Sequence, residues 1–118
     1  AIDEGYGLDR PLMHWFTERY VATPSDKMHW RFSPMQAESV TGVAPAYVIT
    51  CGYDVLGLQG AAYADRLRAS GIAVTHAHYP GALHGFFNTA GALKGARAGL
   101  EATAAFLREA LAPPVART

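Results

Sequence analysis

Pro45-Ala46-Tyr47-Val48-Ile49-Thr50-Cys51 is a β-branched and aromatic run with little polar alternation. Such a run fits a strand buried on both faces, as in a parallel sheet covered by helices. Gly52 ends it. Downstream, residues 58–70 read as a helix. Leu58, Ala61, Ala62, Tyr63, Ala64 and Leu67 form its apolar stripe, and Gly71 suits the position just past its end. The next run, 72–79, alternates imperfectly: Ile72, Val74, Ala77 and Tyr79 interleave with Ala73, Thr75, His76 and His78. That pattern predicts a strand with one wetter side, at a sheet edge. Strand, helix and strand in this order predict a right-handed βαβ unit in a parallel sheet.

Working outward, residues 79–91 read as a Gly- and Pro-rich loop containing His84-Gly85-Phe86-Phe87. Residues 92–111 make the clearest helix, with Leu93, Ala96, Leu100, Ala104, Leu107 and Leu111 at three- and four-residue spacing and Pro113–Pro114 as its stop. Upstream, residues 9–21 predict a helix with Asp9 as N-cap, Pro11 in the first turn, and an aromatic face of Trp15, Phe16 and Tyr20 beside Leu12. Residues 22–44 read as an irregular connector, punctuated by Pro24, Pro34 and Gly42, with a turn at Ser33–Pro34 and a short helix near 35–40. Two strands do not make a stable doubly covered sheet. The strand at 45–51 therefore calls for neighbours from another segment or chain. The unpaired edge argues against this piece acting alone as a homodimer.

The chain has 118 residues and 50% apolar content, enough for one small domain or one contiguous piece of a larger one. Ten basic residues balance ten acidic ones without a Lys/Arg cluster, which argues against nucleic acid and anionic membrane surfaces as partners. The apolar stretch Val43 to Cys51 is far shorter than the roughly 20 residues a membrane span needs. No secretory pattern opens the chain, and its first residue is Ala rather than Met, the mark of a processed, cleaved or partial N-terminus. The single cysteine, Cys51, cannot form an internal disulfide. It reads as a small buried hydrophobe, and its solitude fits a reducing compartment, the cytoplasm.

Functional groups in open α/β sheets collect at the carboxyl ends of strands. Asp54 follows the first strand and His84 the second, so one βαβ crossover brings both to the same sheet edge. A carboxylate that orients an imidazole is the acid–base half of a triad, and its removal costs about 10⁴ in rate. On the residues alone, blander readings also stand. Asp54 can be a turn residue or helix N-cap, and His84 a solvated loop histidine. His76 and His78 have the i, i+2 spacing of strand-borne metal ligands, but no third ligand lies near, so they read as strand-face or interface residues. His14 and His29 read as surface or connector residues.

Residues 44–56, Ala-Pro-Ala-Tyr-Val-Ile-Thr-Cys-Gly-Tyr-Asp-Val-Leu, resemble the acid-bearing strand and loop of the hormone-sensitive-lipase group of α/β hydrolases, the bacterial family IV esterases. Gly60-Ala61-Ala62-Tyr63-Ala64-Asp65-Arg66-Leu67 through Ile72 resembles the helix that follows it there. Tyr79-Pro80-Gly81 with His84-Gly85-Phe86 is similar to the group's histidine loop, Phe32-Ser33-Pro34-Met35 to its turn before the acid strand, and Met13-His14-Trp15-Phe16 to the helix before that. The resemblance covers residues 6–110. It implies an α/β class: the C-terminal portion of an α/β-hydrolase fold, with its last two parallel strands and flanking helices, incomplete without an N-terminal segment. Residues 1–30 would be the cap-proximal helix and connector, and 31–118 the βαβα portion bearing acid and histidine. It implies Asp54 as triad acid, His84 as general base, small carboxylic esters as substrates, no metal or organic cofactor, and a homodimer through 72–79 and 92–111. It also sets Met13, Trp15 and Phe16 close to the substrate-covering cap, as pocket residues or, for the aromatic face, ordinary core; Leu58, as pocket or loop packing, and Phe86 are further substrate-binding candidates.

The group's pattern after the acid is Pro, Leu, a basic residue, Asp and Glu before glycine. Here Val55-Leu56-Gly57-Leu58-Gln59-Gly60 keeps Leu56 and Gly60 but lacks the acidic pair. The nucleophile elbow, Gly-x-Ser-x-Gly, is absent: Ser25, Ser33, Ser39 and Ser70 all lie outside that pattern. So is the group's His-Gly-Gly oxyanion loop. In this fold the chain order is serine, acid, histidine. The expectation is therefore an upstream partner segment of about 200 residues that carries both missing parts. The alternative function is a non-catalytic relative that binds ligands or serves structure. Retention of both Asp54 and His84 favours the enzyme.

Overall fold

A computed structural model describes residues 5–112. The chain divides between His84 and Gly85 into two compact units. The first opens with helix α1 (Arg10–Tyr20), whose N-cap Asp9 accepts the Leu12 N–H at 2.8 Å, with Pro11 in the first turn. Two 3₁₀ turns follow, Pro24–Met28 and Pro34–Gln36. The second stands where a helix over 35–40 was expected. Pro34 starts it, and the chain returns to extended backbone at Ala37 (φ −60°, ψ 137°).

Strand β1 (Ala46–Tyr53), helix α2 (Gly57–Ala69) and strand β2 (Val74–Leu83) form the predicted βαβ unit, with β1 and β2 paired in parallel. Gly71 ends α2 in a left-handed conformation, φ +80°. The Ile72 N–H reaches the Leu67 carbonyl at 3.1 Å and the Gly71 N–H that of Arg68 at 2.9 Å, the paired bonds of a Schellman cap. Helix α2 packs on β1, and Thr50 and Cys51 of the strand and Ala64 and Leu67 of the helix are buried. Gly60 permits this close approach, since a Cβ there would stand 2.9 Å from the Thr50 methyl. The remainder of β1 is half-buried, or exposed at Tyr53, where burial on both faces was expected. Among the described residues it has one strand neighbour, and the sheet has two strands.

β2 runs further than expected, to Leu83 rather than Tyr79. Cys51 pairs with Tyr79, but Tyr53 pairs with Leu83. β2 thus spends four residues where β1 spends two, and Pro80-Gly81-Ala82 bulges out of register. Pro80 has no N–H to give the ladder. Its backbone swings instead into the space opposite Gly52, where a Cβ would lie 2.0 Å from the Pro80 oxygen. Pairing resumes beyond the bulge and delivers Leu83 beside Tyr53, with His84 next in the chain.

In the second unit Gly85 takes a left-handed conformation, φ +72°, and a 3₁₀ turn (Phe86–Thr89) leads into α3 (Lys94–Ala110). Ala96 and Gly99 are its buried residues, while Leu93, Leu100, Leu107 and Leu111 of the expected stripe are exposed. The expected stop at Pro113–Pro114 lies outside the described residues.

Candidate active site

Asp54 sits one residue past β1 and His84 one past β2. His84 Nδ1 lies 2.9 Å from Asp54 Oδ2. The other carboxylate oxygen, Oδ1, accepts the Leu56 N–H at 2.8 Å, and the Asp54 carbonyl accepts the Gly57 N–H at 3.0 Å. Asp54 is therefore both a turn residue and an imidazole partner, one role per oxygen. Its side chain is 9% exposed and that of His84 44%. An ionised carboxylate only accepts, so Nδ1 carries the imidazole proton and Nε2 is left as the basic nitrogen.

A cavity of about 600 Å³ includes both residues in its wall. Met13 and Thr17 of α1, Phe32 through Met35 of the connector, Ile49 and Thr50 of β1, and Leu56, Gly57, Gln59, Gly60 and Tyr63 complete it. Asp54 is the one carboxylate in this wall. Of the residues expected beside substrate, Met13 lines the cavity. Trp15 and Phe16 do not: they stand 47% and 48% exposed. The helix repeat explains Trp15, which lies opposite the face that positions 13 and 17 share; Phe16 stands at the margin of that face, outside the wall. Trp15 instead carries the Arg19 guanidinium over its ring at 4.1 Å. Leu58, 87% exposed, is also outside the wall, since Gly57 and Gly60 occupy the inward side of α2's first turn. Phe86 belongs to the second unit, its ring 4.6 Å from that of Phe87.

Thr17, the 32–35 wall and Tyr63 were not foreseen. Tyr63 was legible as a stripe residue of α2, but nothing local marked it as facing a cavity. Ser33 is the serine on this wall. Its backbone is extended (φ −121°, ψ 90°) ahead of a 3₁₀ turn, not the strand-to-helix elbow of an activated nucleophile. Cys51 offers no substitute nucleophile. Burial first, and then the charge of Asp54, push its thiol above the ordinary value of 9.0 and keep it neutral.

His76 and His78 flank the Thr50 hydroxyl, His76 Nε2 at 2.8 Å and His78 Nδ1 at 2.9 Å. The hydroxyl has one proton to give and two lone pairs, so at most one of the two imidazoles accepts from it, and a ring facing it with an N–H donates. These are strand-face residues, as expected. Among the described residues no group of three or more His, Cys, Asp or Glu side chains could hold a metal ion. No helix there is long and apolar enough to cross a membrane. His14 is exposed and pairs with Glu18 at 3.6 Å, and the exposed His29 accepts the Arg31 N–H at 3.1 Å.

Comparison with known proteins adds a lineage to this geometry. The family described as alpha/beta hydrolase fold matches residues 1–88. The ethyl acetate hydrolase of Pseudomonas putida is 35% identical over 96 residues, 81% of this chain and 30% of that protein. The carboxylic ester hydrolase LipN of Mycobacterium tuberculosis is 38% identical over 85 residues, 71% of this chain and 23% of that protein. The crystal structure of EstE1, a thermostable carboxylesterase cloned from a metagenomic library, superposes with a TM-score of 0.89 at 33% identity, covering 93% of this chain and 37% of that one. The chain thus spans 23% to 37% of the length of these relatives.

Proposed function

Because the chain belongs to the alpha/beta hydrolase fold family, we propose that it is the C-terminal part of a serine carboxylesterase and supplies the acid and the base of the triad. The observation that carries this reading is the 2.9 Å contact between His84 Nδ1 and Asp54 Oδ2, at the ends of adjacent parallel strands. The nucleophilic serine and oxyanion hole belong to an upstream segment of the protein, or to a partner chain. Support for that division comes from the partial coverage of the relatives, the lack of a Gly-x-Ser-x-Gly elbow, and the single neighbour of β1 among the described residues.

The mechanism is acyl transfer. His84 Nε2 takes the serine proton as the oxygen attacks the ester carbonyl, then returns it to the leaving alcohol. Water repeats the cycle on the acyl-enzyme. Asp54 holds the ring in the Nδ1–H tautomer and stabilises the imidazolium. The Leu56 N–H fixes the carboxylate so that Oδ2 stays aimed at the ring. The substrate is a small carboxylic ester, and the protein works in a reducing compartment such as the cytoplasm, paired with a second copy of itself through residues 72–79 and 92–111.

The test uses the full-length protein and a short-chain ester. Asp54→Asn and His84→Ala each lower kcat by about 10³–10⁴, and the double variant loses little more, because the two groups act as a unit. Full activity in both single variants would refute the assignment.

A further inference from the structure

We infer that Arg66 is a positioning residue for ester binding, its guanidinium holding the 33–37 turn as a fixed wall of the cavity lined by Asp54 and His84. The inference rests on the esterase reading above. Arg66 lies on α2, and its Nη1 donates to the carbonyls of Pro34 at 3.2 Å and Met35 at 2.6 Å, while Nη2 donates to that of Ala37. These acceptors stand 29 to 32 residues away in the chain. The turn itself is three residues long and has no buried residue. Its own backbone bonds, Gln36 N–H to Ser33 and Ala37 N–H to Pro34, set its shape but not its place.

Ser33, Pro34 and Met35 line the cavity, as do Gly57, Gly60 and Tyr63 of α2. Arg66 does not line it. It joins two stretches of the wall and acts on substrate only through them. A planar guanidinium with donors in a rigid fork can serve three carbonyls at once, whereas an ammonium is a single point charge. Loss of the clamp frees the wall while leaving the Asp54–His84 contact in place. Wall contacts bind ground state and transition state alike, so their loss raises KM rather than lowering kcat.

The experiment compares wild type, Arg66→Gln, Arg66→Lys and Asp54→Asn in the full-length protein, on p-nitrophenyl esters of increasing acyl length. Arg66→Gln raises KM about tenfold, leaves kcat within about threefold, and flattens the acyl-length preference. The pH profile of kcat stays put, and Arg66→Lys falls between. A purely structural role would lower the melting temperature with KM and acyl preference unmoved, and that result in folded Arg66→Gln overturns the inference. Should Arg66→Gln fail to fold, Arg66→Lys decides: wild-type KM and acyl preference there overturn it equally. Wild-type turnover that Asp54→Asn abolishes, with both Arg66 variants unchanged, sinks this inference alone. A wild type that hydrolyses no ester sinks the esterase reading, and the clamp's role with it.

Discussion

Asp54 shows how one side chain reconciles two readings that compete in the sequence. Oδ1 closes a local turn on the Leu56 N–H, and Oδ2 meets an imidazole 30 residues on. Aspartate after a strand is common for the first reason. It becomes chemically interesting only when the second oxygen finds a partner. Cys51 makes the complementary case. Its burial and the neighbouring charge of Asp54 leave a neutral thiol, and the sign of the pH effect follows. A folded-state value above the unfolded one contributes stability in full below the unfolded value of 9.0, and the contribution is lost as pH rises through the folded value. At near-neutral pH the thiol in the native full-length protein should alkylate with iodoacetamide at least about tenfold more slowly than in urea, followed by peptide mass spectrometry. Equal rates would mean that the thiol is neither buried nor raised.

At the scale of elements, the bulge in β2 decides where the histidine goes. Without the extra residues at Pro80-Gly81-Ala82, the strand would end out of step with β1, and His84 would not follow a residue paired with Tyr53. Bulges commonly re-aim a side chain in this way next to reactive sites. Gly52 is the counterpart that makes room. Gly52→Ala places a methyl 2.0 Å from the Pro80 carbonyl oxygen, a backbone atom that cannot rotate aside. The variant should lose about 3 kcal/mol of stability by denaturant unfolding, and kcat/KM should fall with it because the His84 position depends on the same bulge. An alanine variant with wild-type stability and activity would show that β2 can shift without consequence. Propensity located the strands and α2 to within a few residues. It could not see the bulge, because Pro80 reads locally as a terminator and its accommodation depends on Gly52, on another strand.

At the scale of the whole molecule, the described residues leave much apolar surface uncovered. Trp15, Phe16 and Trp30 are about half exposed, Met28 and Leu58 more so, and the largest side chain in the buried set is Leu67. A two-stranded parallel sheet with so small a core falls short of what independent stability requires. The 118-residue chain purified alone should bind ANS, melt without a cooperative transition, and turn over no ester. A sharp two-state melt together with esterase activity would contradict the reading of a partial fold. What the sequence by itself determined were the local choices: the apolar run at 46–51, the stripe and glycine cap of α2, the βαβ order, and the placement of Asp54 and His84 after successive strands. Each follows from side chains acting on their own few neighbours. Only the tertiary structure decided the bulge at Pro80, the Arg66 grip on the 33–37 turn, and the choice of Met13 rather than Trp15 or Phe16 for the cavity wall. Those features depend on groups that meet across roughly 30 residues of chain or more, where packing and carbonyl geometry, not local preference, select the arrangement.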